Sequence, residues 1–162
     1  MKLIKNSIIT KLIIILTIFA LDRFSKEYVV NLFEVSQIQE IYLLDFINIF
    51  LIWNEGIAFG LFNFGYKSIY NFMTLLIIII SLIILYLALK DKSLTSYLFS
   101  LIFGGSLGNL FDRIKFSAVP DFIDLHIGNY HWFIFNVADI FITIGIICLI
   151  FDELFLKTKT NE

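Results

Sequence analysis

Residues 69–89 read IYNFMTLLIIIISLIILYLAL, a stretch without a single charged side chain. A helix needs about 20 consecutive apolar residues to cross the hydrocarbon core of a bilayer. The turn-like sequence KDKS follows at residues 90–93 and ends the apolar run. The stretch therefore predicts a transmembrane helix, and with it a chain that folds in a membrane.

The composition of the whole chain supports this interpretation. It has 162 residues, of which 59% are hydrophobic and 16% charged, and its mean hydropathy is +0.90, far above that of an ordinary soluble domain. A chain of this length holds about four spans with short connections. We predict a single, mainly α-helical integral membrane domain, 1–162. Its transmembrane helices lie at about 7–28, 69–89, 94–111 and 137–156, and its outer-face elements at about 29–68 and 112–136.

The basic residues divide unevenly between the two sides of this topology. Seven lie on the side of the termini: Lys2, Lys5, Lys11, Lys90, Lys92, Lys157 and Lys159. Five lie on the other side: Arg23, Lys26, Lys67, Arg113 and Lys115. Because cytoplasmic loops carry an excess of Lys and Arg, both termini are expected in the cytoplasm. The basic start of the first helix resembles a secretory signal, but no small-residue cleavage site follows, so we predict an uncleaved helix.

The charge and the cysteine count exclude several kinds of partner. A net charge of -2 with no basic cluster argues against nucleic acid. The single cysteine, Cys148, lies in an apolar run, where packing is the expected role. We expect membrane lipids as surroundings, a monomer, and no cofactor.

The first outer connection has the composition of short strands. Residues 38–62 read IQEIYLLDFINIFLIWNEGIAFGLF, rich in β-branched and aromatic residues and interrupted at residues 54–56. We predict a small sheet on the outer face. The sequence RFSKEYVVNLF, residues 23–33, has helical apolar spacing and is expected to extend the first helix into the interface.

Nearly every unusual polar residue falls at one predicted membrane face, whereas the cytoplasmic ends carry little besides lysines. The residues are Asp22, Lys26, Asn54, Asn109, Asp112, Arg113, Asn136 and Asp139. Ionisable groups near membrane depth are costly and mark sites or pathways. The clustering therefore predicts a functional site on the outer side.

Several of these features also have purely structural explanations. Asp22 and Lys26 have the i, i+4 spacing of a helix-stabilising pair. The glycines of Gly104-x-x-x-Gly108 allow close helix packing, which we favour over a ligand role. Arg113 is suited to snorkelling or to the helix C-terminal dipole.

The histidines raise the question of a metal site. His126 and His131 lie near Asp121 and Asp124, but an i, i+5 spacing fits no helical ligand pair, so no metal is expected. Asp124 is interpreted as a solvated residue.

Two aspartates remain as candidates for chemistry. Asn136 is suited to cap the fourth helix, with Asp139 at N3 completing a capping box, so Asp139 alone needs no catalytic role. Asp121 is harder to explain in this way. It follows Pro120, the only proline, which holds the chain extended or turned, while Phe122 and Ile123 are expected as anchors at the membrane surface.

Two facing carboxylates would share one proton. Such a dyad activates a water with its ionised member and protonates the oxyanion or leaving nitrogen with the other, as in aspartic proteases. Nearby Asn and Arg donors would orient a peptide carbonyl or stabilise the oxyanion. Sequence spacing leaves open whether Asp121 and Asp139 meet.

At these residues the chain resembles the bacterial lipoprotein signal peptidases, also called signal peptidase II or prolipoprotein signal peptidases. The resemblance covers essentially the whole chain, and its motifs occur in the family's order: LDRFSK at 21–26, NEGIAFG at 54–60, GGSLGNLFDR at 104–113, VPDFID at 119–124 and FNVAD at 135–139. It implies four transmembrane helices, a small β-cradle and an interfacial helix on the non-cytoplasmic side of the cytoplasmic (inner) membrane.

The resemblance also implies an activity and its residues. It implies an aspartic endopeptidase that cuts signal peptides from prolipoproteins just before the lipid-modified cysteine, with Asp121 and Asp139 as catalytic residues. Substrate-binding or supporting roles fall to Asn54, Asn109, Arg113, Asn136, Asp22 and Lys26. The chain departs from the usual pattern at Pro120, at Ile140 after the second aspartate and at Glu55 in the asparagine motif. None of these departures removes a catalytic group.

Two other functions were weighed. A small proton- or cation-coupled transporter would also use intramembrane carboxylates, but it requires aspartates nearer the bilayer midplane and polar residues that continue to the cytoplasmic side. A purely structural membrane subunit leaves the one-sided polar cluster unexplained.

Overall fold

The computed structural model describes residues 2–56, 67–90 and 92–156. These residues are mainly helical. The helices are α1 (Lys2–Ser36), α2 (Lys67–Lys90), α3 (Leu94–Phe116) and α4 (Val137–Phe151), the last followed by a short π-helical segment, Asp152–Leu156. The strands are β1 (Ile41–Leu44), β2 (Ile47–Asn54), β3 (Val119–Ile127) and β4 (Tyr130–Phe135).

Helix α1 is longer than the predicted first span. It continues without interruption through Asp22 and Lys26, which therefore lie within the helix rather than at its end. The predicted helical extension over residues 23–33 is confirmed, and residues 29–36 form the last turns of α1, not a separate element. Val29 and Phe33, spaced i, i+4, pack on the sheet, and this burial stabilises the extension. In the described part of the chain, no separate interfacial helix is present.

Two helices have the length and composition needed to cross a membrane, Ile69–Lys90 and Leu94–Phe116. In the first, only 11% of the most apolar window is buried within the protein. Large apolar side chains on α2, such as Leu82 and Ile83, remain exposed. Helix α3 begins at the N-cap Ser93, whose hydroxyl accepts from Ser96 N at 3.2 Å. It ends at Phe116, beyond the predicted residue 111, with Ser117 in the left-handed conformation.

Helix α3 lies at the centre of the bundle and contacts the other three helices. Its glycines permit this close approach. A Cβ on Gly104 would lie 3.0 Å from Ile18 Cβ of α1, and one on Gly108 would lie within contact of Asp22 of the same helix. The packing interpretation of Gly104-x-x-x-Gly108 is therefore confirmed, with α1 as the neighbour.

Gly108→Ala is expected to destabilise the protein by about 1–3 kcal/mol, because the added methyl group would displace the Asp22 carboxylate. The free energy of unfolding in detergent micelles measures the change. At an unobstructed helix position the same substitution stabilises by about 1 kcal/mol. A stabilising result would therefore show that α1 does not approach Gly108 this closely.

The strands form one antiparallel sheet in the order β1-β2-β3-β4. Short strands were predicted within 38–62 with a break at residues 54–56. Before this break strands are present, and β2 ends at Asn54, but the turn that separates β1 from β2 was not predicted. The part after the break, residues 57–62, lies outside the described residues. Residue pattern did not predict β3 and β4, because β3 combines Pro120 and two aspartates with apolar residues. These strands correspond to the sheet that the family resemblance implied.

Two expectations for β3 are wrong. Phe122 is not a surface anchor, since it is 4% exposed and packs with Val29 and Phe33 in the core between α1 and the sheet. Ile123 packs against the same cluster. Asp124 is not solvated, because it is 1% exposed. Both errors come from reading β3 as a surface connection when it is an inner strand paired on both sides.

The end of the bundle remote from the sheet is also more polar than predicted. Lys11 is buried, with its Nζ 5.1 Å from the centre of the Tyr97 ring. Asp152 is buried as well and accepts a hydrogen bond from Thr95 at 2.8 Å. Polar side chains are therefore buried at this end by contacts between helices, and such contacts cannot be predicted from hydropathy.

Candidate active site

Asp139 lies in the first turn of α4, where Asn136 is the N-cap. The Asn136 side-chain oxygen accepts from Asp139 N at 3.2 Å, and Asp139 Oδ2 accepts from Asn136 N at 3.2 Å. This is the predicted capping box. The other carboxylate oxygen, Oδ1, accepts from Asn109 Nδ2 of α3 at 2.8 Å. The cap thus orients the Asp139 carboxylate, and α3 supplies a further donor.

Asp121 lies on β3 opposite Ile52 of β2 and is 2% exposed. Its Oδ2 accepts from Asn54 Nδ2 at 2.8 Å, and its Oδ1 accepts from Asn136 Nδ2 at 2.5 Å. Asn54 is available because it ends the neighbouring strand. Side-chain amides from two different elements therefore satisfy both oxygens of a buried carboxylate, as burial requires.

Asn136 is the link between the two aspartates. Its side-chain nitrogen donates to Asp121, and its backbone nitrogen donates to Asp139. The end of the sheet and the start of α4 thus meet at one residue. The arrangement brings a buried carboxylate, Asp121, and a partly buried one, Asp139, from different elements into a single site.

The pKa of Asp121 is raised from its ordinary value of 3.8 to about 6. Burial is the main cause, and the charge of Asp139 adds to it. The hydrogen bonds from Asn54 and Asn136 and the charge of Lys26 oppose the shift. Repulsion between the two carboxylates favours the state in which the pair holds one proton.

This raised pKa predicts that Asp121 destabilises the folded protein at neutral pH. Because the folded state binds the Asp121 proton more tightly than the unfolded chain does, protonation of Asp121 stabilises the folded protein. This stabilisation is complete below pH 3.8 and is lost as the pH rises through about 6. The difference between the two pKa values corresponds to about 3 kcal/mol.

Thermal unfolding in detergent at pH 4 and at pH 7 tests this. Asp121→Asn should lose this pH dependence, so its stability relative to the parent protein should be higher at pH 7 than at pH 4. At both pH values the variant also bears the cost of an amide N–H facing the amide donors of Asn54 and Asn136. Equal pH dependence in both proteins would contradict the raised pKa.

A buried charge network supports the Asp139 side of the site. Lys26 Nζ donates to Asn109 Oδ1 at 2.7 Å and to Asp112 Oδ2 at 2.8 Å, and it lies 3.0 Å from Asp22 Oδ2. Arg23 donates to both Asp22 and Asp112. Lys26 therefore holds the oxygen of the Asn109 amide, which leaves the nitrogen directed at Asp139.

Asp22 has a second role beyond its i, i+4 pairing with Lys26. Its Oδ1 accepts from Ala138 N at 3.0 Å, one residue before Asp139. Because the first N–H groups of a helix lack partners within the helix, this bond satisfies one of them. It joins the middle of α1 directly to the start of α4.

Known proteins are similar to this chain over nearly its whole length. The profile of the Signal peptidase (SPase) II family matches residues 14–155. The chain belongs to the signal peptidase II family. It is 54% identical to the lipoprotein signal peptidase of Pelagibacter ubique (strain HTCC1062), over 93% of this chain and 92% of that protein. It is 42% identical to the lipoprotein signal peptidase of Anaplasma phagocytophilum (strain HZ), over 93% of this chain and 95% of that protein.

Solved structures agree with the signal peptidase II assignment. A bacterial membrane enzyme determined by the in meso method at 2.3 Å resolution superposes with a TM-score of 0.75. It is 33% identical, and the match covers 94% of this chain and 91% of that one. This signal peptidase II chain is therefore a membrane protein with the same overall fold.

In this signal peptidase II chain, Arg113 does not snorkel. It is 7% exposed and donates from its Nη1 to Gly56 O at 2.8 Å. Gly56 N in turn donates to Asn54 Oδ1 at 2.9 Å. Arg113 thus holds the turn after β2 that orients Asn54 toward Asp121. The remainder of the NEGIAFG motif, residues 57–60, lies outside the described residues.

All eight predicted site residues lie in this connected set of contacts. Three further groups belong to this set of contacts and were not predicted as site residues: Arg23, Asp112 and the Gly56 carbonyl. Asp112 carried a signal, since it was grouped with the polar residues at this level. Arg23 was considered only as one of the basic residues on the non-cytoplasmic side. The role of a backbone carbonyl cannot be predicted from the type of its residue.

Proposed function

We propose that this protein is an aspartic endopeptidase that removes signal peptides from diacylglyceryl-modified prolipoproteins, cleaving just before the lipid-modified cysteine. The observation that carries the proposal is the joining of Asp121 and Asp139 through Asn136. Membership of the signal peptidase II family and the names of its relatives supply the substrate class.

In the proposed reaction, water is the nucleophile. The ionised carboxylate takes a proton from the water molecule while the water oxygen attacks the scissile carbonyl carbon. The protonated carboxyl gives its proton to the carbonyl oxygen. As the tetrahedral intermediate collapses, the C–N bond breaks and the leaving nitrogen receives the proton taken from water. One hydroxyl of the intermediate returns its proton to the carboxylate that gave one up, which restores the singly protonated pair. No nucleophilic side chain and no metal takes part.

The surrounding residues position this pair. Asn54 and Asn136 bind the Asp121 oxygens, while Asn109 binds Asp139. In the proposed role, Arg113 fixes Asn54 by binding the turn after β2 at Gly56. Lys26 holds α1 against α3, and Asp22 holds it against α4. Such prearranged donors reduce the reorganisation needed as charge moves during the reaction.

The proposed setting is the bacterial cytoplasmic membrane, with all four helices spanning it as one peptidase domain, 1–162. Both termini lie in the cytoplasm, and the sheet lies at the outer face. The exposed apolar surface of α2 supports contact with lipid. On the sheet, Tyr42, Tyr130 and Trp132 are exposed, as suits aromatic side chains at a membrane interface. They replace Phe122 as the proposed interfacial anchors, and the protein acts as a monomer.

A cavity of about 640 Å³ lies between α1, α3 and β2 and extends to Pro120, the residue before Asp121. Its lining combines aromatic side chains, such as Phe19, Phe111 and Trp53, with charged ones, such as Arg23, Lys26 and Asp112. The aromatic side chains offer an apolar segment a surface to bury. We propose that the signal peptide reaches the dyad by this route.

The test is cleavage by the purified chain in proteoliposomes. We expect a diacylglyceryl-modified prolipoprotein to be cut, and mass spectrometry to find the lipid-modified cysteine at the new N-terminus. The same precursor without the diacylglyceryl group serves as the matched control and should remain uncut. Proton or cation flux without cleavage would instead support the transporter, and would overturn the proposed function.

A further inference from the structure

A second cluster of ionisable side chains lies on the β3–β4 hairpin, apart from the dyad. His126 and His131 face each other across the two strands, with ring centres 5.3 Å apart and planes inclined by 24°. Asp124 lies two residues before His126 on the same strand, and its Oδ2 is 3.6 Å from His126 Nδ1. The fold therefore gathers one carboxylate and two imidazoles on one side of the hairpin.

Asp124 and Asp121 of β3 have different partners. The side chain of Asp121 accepts from Asn54 and Asn136, whereas that of Asp124 contacts His131. The histidine cluster has no place in the proposed cleavage reaction.

The cluster contains buried polar atoms without hydrogen-bond partners. Among the described residues, Asp124 Oδ1 and His126 Nδ1 make no hydrogen bond, although Asp124 is 1% and His126 9% exposed. Asp124 Oδ2 contacts His131 Nδ1 at 2.7 Å and lies 3.6 Å from His126 Nδ1. Buried polar groups in folded proteins almost always have partners, so these two atoms indicate a missing ligand.

A third unpartnered atom lies beside them. Asn48 of β2 pairs directly with Asp124 in the sheet register. Its amide nitrogen donates to Glu40 at 2.8 Å, while its buried Oδ1 has no partner among the described residues. An oxygen in this place would accept a hydrogen bond from a water molecule bound to a cation.

The donor set and its spacing match a zinc ion. Imidazole nitrogen and carboxylate oxygen are ordinary zinc ligands, and bonds of about 2.0–2.2 Å in a tetrahedral site separate neighbouring ligand atoms by about 3.4 Å. The three side chains offer ligand atoms that all lie within 4.8 Å of one another. His131 is half-exposed, so its rotation can adjust the spacing, and the fourth position remains open to water.

We propose that Asp124, His126 and His131 bind one Zn²⁺ ion that clamps β3 to β4 on the outer face of the protein. The expectation of no metal rested on the i, i+5 spacing of the histidines in a helix. In a hairpin the register decides which side chains meet, and here it places His126 opposite His131. The ion is structural and takes no part in peptide cleavage.

Zinc binding by the purified, metal-stripped full chain in detergent tests the proposal. The chain must carry no histidine tag, because it has only two histidines of its own. Equilibrium dialysis with elemental analysis should find one Zn²⁺ per chain. His131→Ala and Asp124→Asn should each weaken binding by at least about 100-fold, given that loss of a mere supporting residue costs 10–100-fold. Asp45→Asn, which removes an exposed carboxylate from the turn between β1 and β2, should bind like the parent protein.

His131→Ala keeps the test independent of folding, since its side chain is half-exposed. Cobalt in place of zinc should produce the visible absorption of a tetrahedral site in the parent protein and none in His131→Ala. Equal metal binding by the parent and His131→Ala would overturn the proposal.

A chelator separates the structural role from catalysis. Chelation should lower the unfolding temperature of the zinc-loaded parent protein to that of His131→Ala, while prolipoprotein cleavage continues at the same rate. Loss of cleavage on chelation with no change in unfolding temperature would overturn the proposed site, because the metal would then act elsewhere. The dialysis result stands independently of the proposed peptidase activity.

Discussion

Asp121→Asn and Asp139→Asn should each reduce prolipoprotein cleavage by about 10⁴-fold, the upper range for removal of a general acid or base. An amide neither accepts the proton of the attacking water nor donates one as a carboxylic acid does. Because the two carboxylates act on the same water and carbonyl, loss of either is expected to be nearly as damaging as loss of both. Initial rates on a diacylglyceryl-modified substrate in proteoliposomes measure the effect.

The matched control is Asp45→Asn, which makes the same chemical change at an exposed position in the turn between β1 and β2. It should cleave at the parent rate. Thermal unfolding of each variant at the assay pH separates loss of catalysis from loss of the fold. Cleavage above one tenth of the parent rate by either dyad variant, with normal insertion, would rule out the assigned mechanism.

Asp112→Ala should lower the free energy of unfolding by about 3–5 kcal/mol, the cost of removing one partner from a buried ion pair. Asp112 is fully buried and contacts both Lys26 and Arg23. Its removal leaves two cations with Asp22 as the remaining carboxylate of the network. Denaturation in detergent micelles, followed by circular dichroism, measures the loss.

Glu34→Gln is the control, since it removes an exposed acidic charge from α1 and should change stability little. The double replacement Lys26→Met with Asp112→Leu should recover part of the stability lost in Asp112→Ala, because buried ion pairs are often replaceable by apolar residues of similar volume. A loss below about 1 kcal/mol in Asp112→Ala would mean that water reaches this network and screens its charges.

The helix features predicted correctly from sequence are those that depend on interactions between residues close together in the chain. The apolar run at 69–89 lies within α2, and the capping box of Asn136 and Asp139 is present at the start of α4. Both depend on residues close together in the chain. The strand content predicted before residue 54 also has a strong local signal in its β-branched and aromatic residues.

The errors arise where a residue's surroundings come from distant parts of the chain. Asp124 looks solvated in a short polar motif, but pairing with β2 and β4 buries it. Lys11 is buried beside Tyr97 of α3, a contact that the basic N-terminal sequence does not predict. Arg113 looks like a helix-end cation, but the turn after β2 supplies its acceptor.

By itself, the sequence determined that this protein is a membrane protein rich in helices, that Asn136 caps a helix with Asp139 in its first turn, and that its motifs are those of the signal peptidase II family. These properties follow from hydropathy, from interactions over a few residues and from motif order. Only the tertiary structure decided that Asn136 joins Asp121 to Asp139, that Asp22 reaches the start of α4, and that Asp124, His126 and His131 converge. Strand register and helix packing bring distant residues together, and neither can be read from the spacing of residues along one segment.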